Sequence, residues 1–314
     1  MNTDPKRNGH GFILYKGKFR NEDVACKKLQ VEMWRVVRRD DPQVKLAHKT
    51  YIRQLLAWMS LPKSHNHVLS LSGVISVDPQ IEPCLVTPWM RCGNVLQALK
   101  SRLSGQPSPL RLSSLHTQII VCLQEIASGL SYLHREGIVH GRLCCNNVLI
   151  DVDGSVKLTD ICSFPIRELW QSNSGIPSTS DWFFYAPELF DCDEYFSERT
   201  PASDIYAFAI TCVEMCRLGP PYDPETSLIK LASGSLRPGR PTMPDGSALS
   251  DSQWNLICDC WAPDPAERPT APIVCKRLER IHRETPELEA AVPRPGGTVV
   301  LTDVVWFVRT INTT

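Results

Sequence analysis

Residues 138–150 read IVHGRLCCNNVLI, and this stretch decides how the rest of the chain is interpreted. It places His140 seven residues before Asn147 and ends in a short apolar run that suits a buried strand. Between them lies Arg142, whose guanidinium carries five hydrogen-bond donors, has no acceptor and does not deprotonate in proteins. The loop therefore offers polar groups beside a strand, but no proton acceptor at position 142.

The segments on either side of this loop have clear local patterns. Apolar residues recur at helical spacing from Leu115 to Arg135, which predicts an amphipathic helix directly before the loop. After the loop, Asp153 and Gly154 form a hairpin turn signal that leads to a second short strand and then to Asp160. The sequence thus predicts a helix, a loop and a hairpin in succession.

Composition limits the class of protein. A chain of 314 residues with 42% apolar residues can bury a sizeable core, in one large domain or two lobes. Lys+Arg and Asp+Glu both number 34, which argues against a nucleic-acid partner bound through bulk charge. The 13 cysteines form no C-x-x-C pair, and no apolar run approaches the roughly 18 residues of a membrane span. We expect a cytoplasmic protein with no nucleic-acid and no membrane partner.

The loop at 138–150 resembles the H-R-D-L-x-x-x-N catalytic loop of protein kinases, with His140, Leu143 and Asn147 in place. Thirteen residues after Asn147, the tripeptide Asp160-Ile161-Cys162 stands where kinases have D-F-G. Other segments resemble kinase motifs in the family's order and cover residues 9–283; they are the V-A-I-K strand at 24–27, the hinge at 85–94, A-P-E at 186–188, S-D-x-W-S-F-G at 203–209 and W-x-x-D-P-x-x-R-P at 261–269. The residues within these motifs resemble those of the tyrosine-kinase-like group of protein kinases.

This resemblance implies an α+β, two-lobed protein kinase-like fold, with a small β-rich N-lobe whose first strand is truncated and a larger helical C-lobe. The implied kinase-like domain is 1–283, divided into an N-lobe at 1–87, a hinge at 88–93 and a C-lobe at 94–283. Residues 284–314 form a tail of unknown role. Its strand-like run at 299–308 leaves three alternatives open, namely an edge strand, a partner-binding strand or a mispredicted chain end.

The resemblance also implies which residues surround a nucleotide. Lys27 holds the position of the lysine that reaches the phosphates, and Met90 that of the hinge residue whose backbone bonds adenine. Asn147 and Asp160 hold the positions of the metal ligands. The full set of implied nucleotide contacts is Gly9, Leu14, Ala25, Lys27, Gln54, Thr87, Met90, Asn147, Leu149 and Asp160.

Three further residues match the scaffold of the family. Glu188 and Arg268 are expected to form a buried ion pair, because they hold the two positions that pair in kinases. Asp204 is expected to hold the backbone of the catalytic loop from below. These residues would preserve the architecture whether or not the site is active.

The residues of the chemistry depart from the family pattern. Arg142 replaces the aspartate that accepts the substrate proton, so we predict that position to be inactive although His140 beside it is retained. Gln54 replaces the helix glutamate that pairs with Lys27, and Phe12 stands where one of the loop glycines would be. Two arrangements of Arg142 are predicted: its guanidinium attracts phosphate oxygens, or it bonds Asp160 directly and closes the site.

These departures favour a pseudokinase that binds an unknown protein partner, with ATP as a candidate ligand and with weak or absent Mg²⁺ binding. The first alternative is a weakly active Ser/Thr or Tyr kinase that transfers the γ-phosphate of ATP to protein hydroxyls, since a general base is typically worth about 10²–10⁴-fold. The second alternative is a truncated kinase relic without a settled role. The sequence alone does not identify the partner.

Overall fold

The computed structural model describes residues 7–9, 12–29, 42–62, 65–75, 84–106, 108, 110, 114–161, 163, 179–190, 198–223 and 225–284. The predicted tail beyond Glu284 and the residue Cys162 lie outside these ranges. Within the described helices, none is both long and apolar enough to cross a membrane.

The small lobe is built on an antiparallel sheet. Its strands are β1 (Arg7–Gly9), β2 (Phe12–Phe19), β3 (Glu22–Leu29), β4 (Gly73–Ile75) and β5 (Cys84–Pro88), arranged in the order β1-β2-β3-β5-β4. Arg20 and Asn21 join β2 to β3 and both have positive φ, as a two-residue type I′ hairpin turn requires. This hairpin fixes the register that places Lys27 opposite Leu14.

Helix α1 (Pro42–Ser60) follows β3 and shares a hydrophobic cluster with Leu85 of β5. Its buried side chains recur at helical spacing and are Val44, Tyr51, Leu55 and Trp58, each at most 5% exposed. The indole Nε1 of Trp58 donates to the carbonyl of Leu69 at 2.9 Å, and the amide of Leu69 donates to the carbonyl of Leu158 at 2.9 Å. The end of α1 is therefore tied to a strand of the large lobe.

The large lobe is helical and carries one short hairpin. Its elements are α2 (Val95–Leu103), α3 (Leu115–Arg135), β6 (Val148–Ile150), β7 (Val156–Leu158), α4 (Thr179–Trp182), α5 (Pro201–Arg217), α6 (Leu228–Ala232), α7 (Asp251–Cys260) and α8 (Ala271–Glu284). Helices α2, α5 and α7 begin with capping boxes at Asn94, Thr200 and Ser250. These caps satisfy amide groups that a helix leaves unpaired at its start.

The core of the large lobe lies between α3 and α5. Fully buried side chains such as Ile126, Leu130 and Phe208 belong to one hydrophobic cluster that extends to Tyr51 and Trp58 of α1. The predicted α+β, two-lobed architecture is confirmed, and α3 spans the predicted residues. The lobe boundaries at 87 and 94 stay predictions; β5 ends at Pro88 and α2 begins at Val95.

Candidate nucleotide cleft

The catalytic-loop stretch is held in place by a single buried carboxylate. Asp204, at the start of α5, accepts the amide of His140 and the amide of Gly141, each at 2.8 Å. His134 Nε2 lies 2.8 Å from the same carboxylate. Gly141 has φ of +74°, a conformation that side chains rarely adopt. Asp204 thus lies where the sequence placed it, below the loop, and it fixes a backbone turn that favours glycine.

A second buried carboxylate supports the loop from the same helix. Glu214 of α5 accepts the amide of Cys145 at 2.8 Å. Burial raises the pKa of Glu214, although the amide of Cys145 opposes this effect. Sequence reasoning missed this residue, because one glutamate within an apolar helix gives no local sign of the distant amide that it binds.

The side chain of Arg142 lies in the cleft and bonds two carboxylates. Its Nη1 is 2.6 Å from Asp160 Oδ2, and its Nη2 is 3.3 Å from Asp181 Oδ1. Arg142 is largely buried. Burial favours the neutral guanidine, but the charges of Asp181 and Asp160 outweigh it and raise the pKa of Arg142 above its ordinary value. The guanidinium is therefore a permanent cation in the position of the missing proton acceptor.

The carboxylate of Asp160 also pairs with a second cation, which belongs to the other lobe. Lys27, on β3, bonds Asp160 Oδ1 through its Nζ, so each oxygen of this carboxylate contacts one cation. Asp160 has φ of +64°, and the hydroxyl of Ser163 donates to its carbonyl at 3.2 Å. The cleft cluster, which we define as Lys27, Asp160, Arg142 and Asp181, joins the two lobes through two cations and two anions.

Asn147 is engaged with the same loop. Its Nδ2 donates to the carbonyl of Arg142 at 2.7 Å, and its own carbonyl accepts the amide of Thr159 at 3.0 Å. His140 is fully buried, its Nδ1 lies 3.2 Å from the amide of Arg142, and burial lowers the pKa of its ring. Asn147 thus lies close to Asp160, but it stabilises the loop through its amide group.

The residues present do not fit a divalent metal ion well. The carboxylate of Asp160 already binds two cationic side chains, and Mg²⁺ would have to displace or lie beside the guanidinium of Arg142. Within the described part of the chain, no group of three or more His, Cys, Asp or Glu side chains is arranged to hold a metal ion. The cations bound to Asp160 in the cleft are therefore side chains of the protein, those of Lys27 and Arg142.

The predicted contacts to an adenine base lie on β3, on β5 and the segment after it, and on β6. Ala25 and Thr87 are direct partners in the β3–β5 ladder, and both are half-buried. Met90, beyond β5, and Leu149, in β6, are also half-buried. Gly9 pairs with Phe12 in the β1–β2 ladder. The side chain of Phe12 lies outside the described part of the structure.

Gln54 does not pair with Lys27. It lies on α1, its side-chain oxygen is buried, and that oxygen accepts no hydrogen bond among the described residues. A carboxamide carries no charge, so it competes poorly for an ammonium against the carboxylate of Asp160. Among the described residues, Lys27 pairs with the carboxylate of Asp160.

Glu188 and Arg268 form the ion pair that the sequence predicted for them. Arg268 Nη1 and Nη2 lie 2.7 and 2.8 Å from the two carboxylate oxygens, which is a bidentate contact. The Arg268 side chain is 0% exposed and that of Glu188 is 29% exposed. The arginine also donates to three backbone carbonyls, those of Ala202, Ala262 and Pro263.

Asp181 is the other site residue that sequence reasoning missed. It lies in α4, directly before the A-P-E segment, and it contacts Arg142 across a sequence distance of 39 residues. The sequence offered one sign of this contact: the loop has an arginine at position 142, and an aspartate stands five residues before Ala186. That signal has meaning only once the two segments are known to be adjacent.

Comparison with known proteins adds the family. A model of the protein tyrosine and serine/threonine kinase family matches residues 13–278. A probable serine/threonine-protein kinase of Dictyostelium discoideum is 29% identical over 268 residues, which cover 83% of this chain and 18% of that protein. Mitogen-activated protein kinase kinase kinase 3 of Arabidopsis thaliana is 34% identical over 157 residues, which cover 50% of this chain and 27% of that protein.

A further relative, the serine/threonine-protein kinase mos of Xenopus laevis, is 26% identical over 290 residues, which cover 88% of this chain and 74% of that protein. In the two relatives given before it, the chain spans 18% and 27% of the relative's length. The family model, by contrast, matches most of the chain. The chain therefore belongs to the protein tyrosine and serine/threonine kinase family.

Proposed function

We propose that this chain is a pseudokinase of the tyrosine-kinase-like group, which lacks phosphoryl transfer and acts through protein contacts. The observation that carries the proposal is the carboxylate of Asp160, which bonds both Lys27 and Arg142. A working kinase uses that aspartate for Mg²⁺ and that lysine for the phosphates of ATP. Here the two residues are engaged with each other and with Arg142, so side chains of the protein fill the site.

Charge supports the same conclusion. The cleft cluster contains two cations and two carboxylates, so its formal charges cancel. A nucleotide triphosphate would have to compete with Asp160 and Asp181 for the cations, and Mg²⁺ would have to approach a buried guanidinium. We therefore expect ATP to bind weakly and to gain little from Mg²⁺.

Proton transfer has no acceptor at the expected position. The donors of Arg142 cannot take a proton from a substrate hydroxyl. The loss of a general base is typically worth about 10²–10⁴-fold in rate. The engagement of Asp160 would add to that loss, because transfer depends mainly on positioning and on charge stabilisation by the metal.

The assignment to the tyrosine-kinase-like group rests on sequence wording. Trp58 follows Gln54 by four residues on α1, and the hinge reads Pro88-Trp89-Met90. These likenesses support the group.

A cytoplasmic location belongs to the same proposal. The described residues include eleven free cysteines, seven of them buried. Thiols of this kind are typical of a reducing compartment. The observation supports the location and leaves the partner open.

The alternative is a weakly active kinase, and one observation favours it. The carboxylate of Asp181 lies beside Arg142, at 3.3 Å from its Nη2, close to the position of the missing base. Relatives of the chain are named serine/threonine kinases. Under this alternative Asp181 accepts the substrate proton in place of residue 142.

The deciding experiment compares thermal unfolding and autophosphorylation of the wild type with and without ATP and Mg²⁺. We expect a small shift in Tm with ATP, nearly the same with and without Mg²⁺, and no transfer of the γ-phosphate. The variant Arg142→Asp should make the shift depend on Mg²⁺, since it removes the competing cation. It should gain little turnover, because Gln54 still replaces the helix glutamate.

Robust, metal-dependent autophosphorylation by the wild type would contradict the proposal, provided that a Lys27→Ala control abolishes it. If Asp181→Asn also abolished it while unfolding remained unchanged, the alternative would be established. The control Asp223→Asn, an exposed aspartate in the same lobe, shows whether loss of any acidic side chain has the same effect.

A further inference from the structure

Helix α1 carries positive charge only. None of its 19 residues is an aspartate or a glutamate, whereas Lys45, Lys49 and Arg53 are all exposed. Residues four apart on a helix advance by about 6 Å along its axis and about 40° around it. The three side chains therefore form a continuous stripe on the side of the helix that faces away from the core.

Two apolar side chains lie on the same side. Leu46 is 46% exposed and Leu56 is 56% exposed, and the turn of about 100° per residue places both beside the cationic stripe. We define the α1 outer face as Lys45, Leu46, Lys49, Arg53 and Leu56. It combines separate cations with apolar contact area.

The charges of Lys49 and Arg53 on this face repel each other. Among the described residues, no ion pair involves Lys49 or Arg53, and like charges four residues apart on a helix are destabilising. The face lies in a basic part of the chain: residues 1–87 contain 14 Lys and Arg against 8 Asp and Glu, whereas residues 88–314 contain 20 against 26. An anionic partner would relieve the repulsion.

The structure favours a protein over a membrane as that partner. A helix that lies in a bilayer inserts its apolar face, but the apolar face of α1 is already in the core, with Val44 and Tyr51 each 2% exposed. It also favours a protein over nucleic acid. Three cations on a stripe about 12 Å long offer few phosphate contacts, and the two leucines would be left against water.

We propose that the α1 outer face binds an acidic, amphipathic segment of a partner protein, whose carboxylates pair with Lys49 and Arg53 and whose apolar residues cover Leu46 and Leu56. This inference rests on the proposed function, since a module without catalysis acts through such a surface. Because of the cations, binding of the partner segment should weaken as salt is added. Because of the leucines, binding should also require apolar residues in that segment.

The test uses a phage-displayed library of random 16-residue peptides, selected on the full chain at low salt. Pools are compared after selection on the wild type, on Lys49→Glu/Arg53→Glu and on a matched control, Lys230→Glu/Lys276→Glu. Both control lysines are exposed, and they lie in α6 and α8 of the large lobe. Circular dichroism and thermal unfolding confirm that each variant is folded, and Lys49→Ala/Arg53→Ala replaces the Glu variant if it is not.

We expect the wild-type and control pools to be enriched at least tenfold in peptides with Asp or Glu and with Leu, Ile or Phe at helical spacing. Single peptides from these pools, measured by fluorescence anisotropy, should bind Lys49→Glu/Arg53→Glu at least tenfold more weakly and the control variant equally well. Pools without acidic enrichment, or peptides that bind all variants equally, would overturn the proposal.

Three further measurements test whether the α1 outer face binds something other than an acidic peptide. Tighter binding of the wild type to a duplex DNA, or to vesicles that contain phosphatidylserine, would overturn the proposal in favour of that surface. Self-association in sedimentation velocity that the Lys49→Glu/Arg53→Glu variant loses would assign the face to a second copy of the chain. These binding measurements do not depend on catalysis. Autophosphorylation by the wild type would therefore contradict the proposed function, but it would not change the result of the peptide experiment.

Discussion

Two ionic clusters of this molecule look alike in composition but differ in what surrounds them. In the large lobe, Arg268 pairs with Glu188 and donates its remaining hydrogen bonds to backbone carbonyls. In the cleft, Arg142 pairs with Asp160 and Asp181, and Lys27 reaches Asp160 from the other lobe. The first cluster connects parts of one lobe, whereas the second connects two lobes across a space that kinases keep for a ligand.

Under the proposed function, the difference separates a cluster that supports the fold from a cluster that occupies the place of the chemistry. The donors of Arg268 are used by groups that belong to the architecture, so no exogenous ligand competes for them. The charges of Lys27 and Asp160 are those that phosphates and a metal ion would use, and Arg142 adds a second cation that Asp181 balances. Under the proposed function, the guanidinium at position 142 makes these charges an internal contact of the protein.

The largest expected effect tests the scaffold side of this comparison. Arg268→Ala should destabilise the protein by about 3–5 kcal/mol, because it leaves the Glu188 carboxylate and three carbonyls without their partner. Urea unfolding followed by circular dichroism measures the change. The control Arg240→Ala, which breaks an exposed pair with Asp251, should cost less than about 1 kcal/mol. An equal loss in both variants would remove the distinction between buried and surface pairs.

The second prediction concerns the backbone anchor. Asp204→Ala leaves the buried amide of His140 and the partly buried amide of Gly141 without their acceptor, and a fully buried group of this kind costs roughly 1–3 kcal/mol. Because the amide of Gly141 is only partly buried, we expect a total loss on the order of 2–4 kcal/mol in the free energy of unfolding. Asp204→Asn should lose less, because its side-chain oxygen still accepts one of the amides. If Asp204→Ala unfolded like the wild type, the loop would be held by other contacts.

The cleft should respond more weakly to the loss of its arginine. Arg142→Leu leaves Asp160 paired with Lys27, so we expect a loss of about 1–3 kcal/mol rather than the full cost of a broken buried pair. The same variant should bind ATP with greater dependence on Mg²⁺, which thermal shift measures. A loss as large as that of Arg268→Ala would show that the cleft cluster also carries the fold.

The smallest effect is a dependence on pH. Burial raises the pKa of Glu214 above its ordinary value of 4.5, so the folded state holds this proton more tightly than the unfolded state. Its contribution to stability is present below about pH 4.5 and declines as the pH rises through the pKa of the folded state. The stability of the wild type relative to Glu214→Gln should therefore fall between pH 4.5 and 7.5 in urea unfolding. The exposed variant Glu279→Gln is the matched control, and a wild-type advantage that grew with pH would contradict this account.

Local patterns in the sequence located much of this structure. The apolar periodicity of α3 and the turn at Asp153 and Gly154 follow from local patterns, and the site positions of Lys27, Asn147 and Asp160 follow from the resemblance to kinase motifs. The partners of those residues do not. The bond between Lys27 and Asp160 joins residues 133 apart, and Asp181 has no pattern of its own. Which carboxylate an ammonium selects depends on packing between lobes, and the spacing of one segment does not encode it.

One apolar segment differs from the strand that its pattern suggests. The run at 68–77 is strand-like in sequence, but residues 76–77 lie outside the described structure and, within residues 68–75, Gly73–Ile75 form the strand. Val68 instead forms an isolated parallel bridge with Leu158, and the amide of Leu158 donates to the carbonyl of His67 at 3.0 Å. Apolar residues that cross from one lobe to another satisfy the same hydrophobic pattern as a strand, so the pattern alone does not separate the two cases.

That crossing segment has a mechanical consequence. The lobes are joined through the chain at residues 88–93, and a second time through the bonds that link His67 and Leu69 to Leu158. Two lobes joined at one point can rotate relative to each other in any direction. Two lobes joined at two points rotate easily only about the line between those points. The stiff directions are those that would pull Leu69 from Leu158, and the amide protons of these two residues should accordingly exchange slowly with solvent. We therefore expect opening of the cleft to be a rotation about that line, once the bond between Lys27 and Asp160 across the cleft is broken.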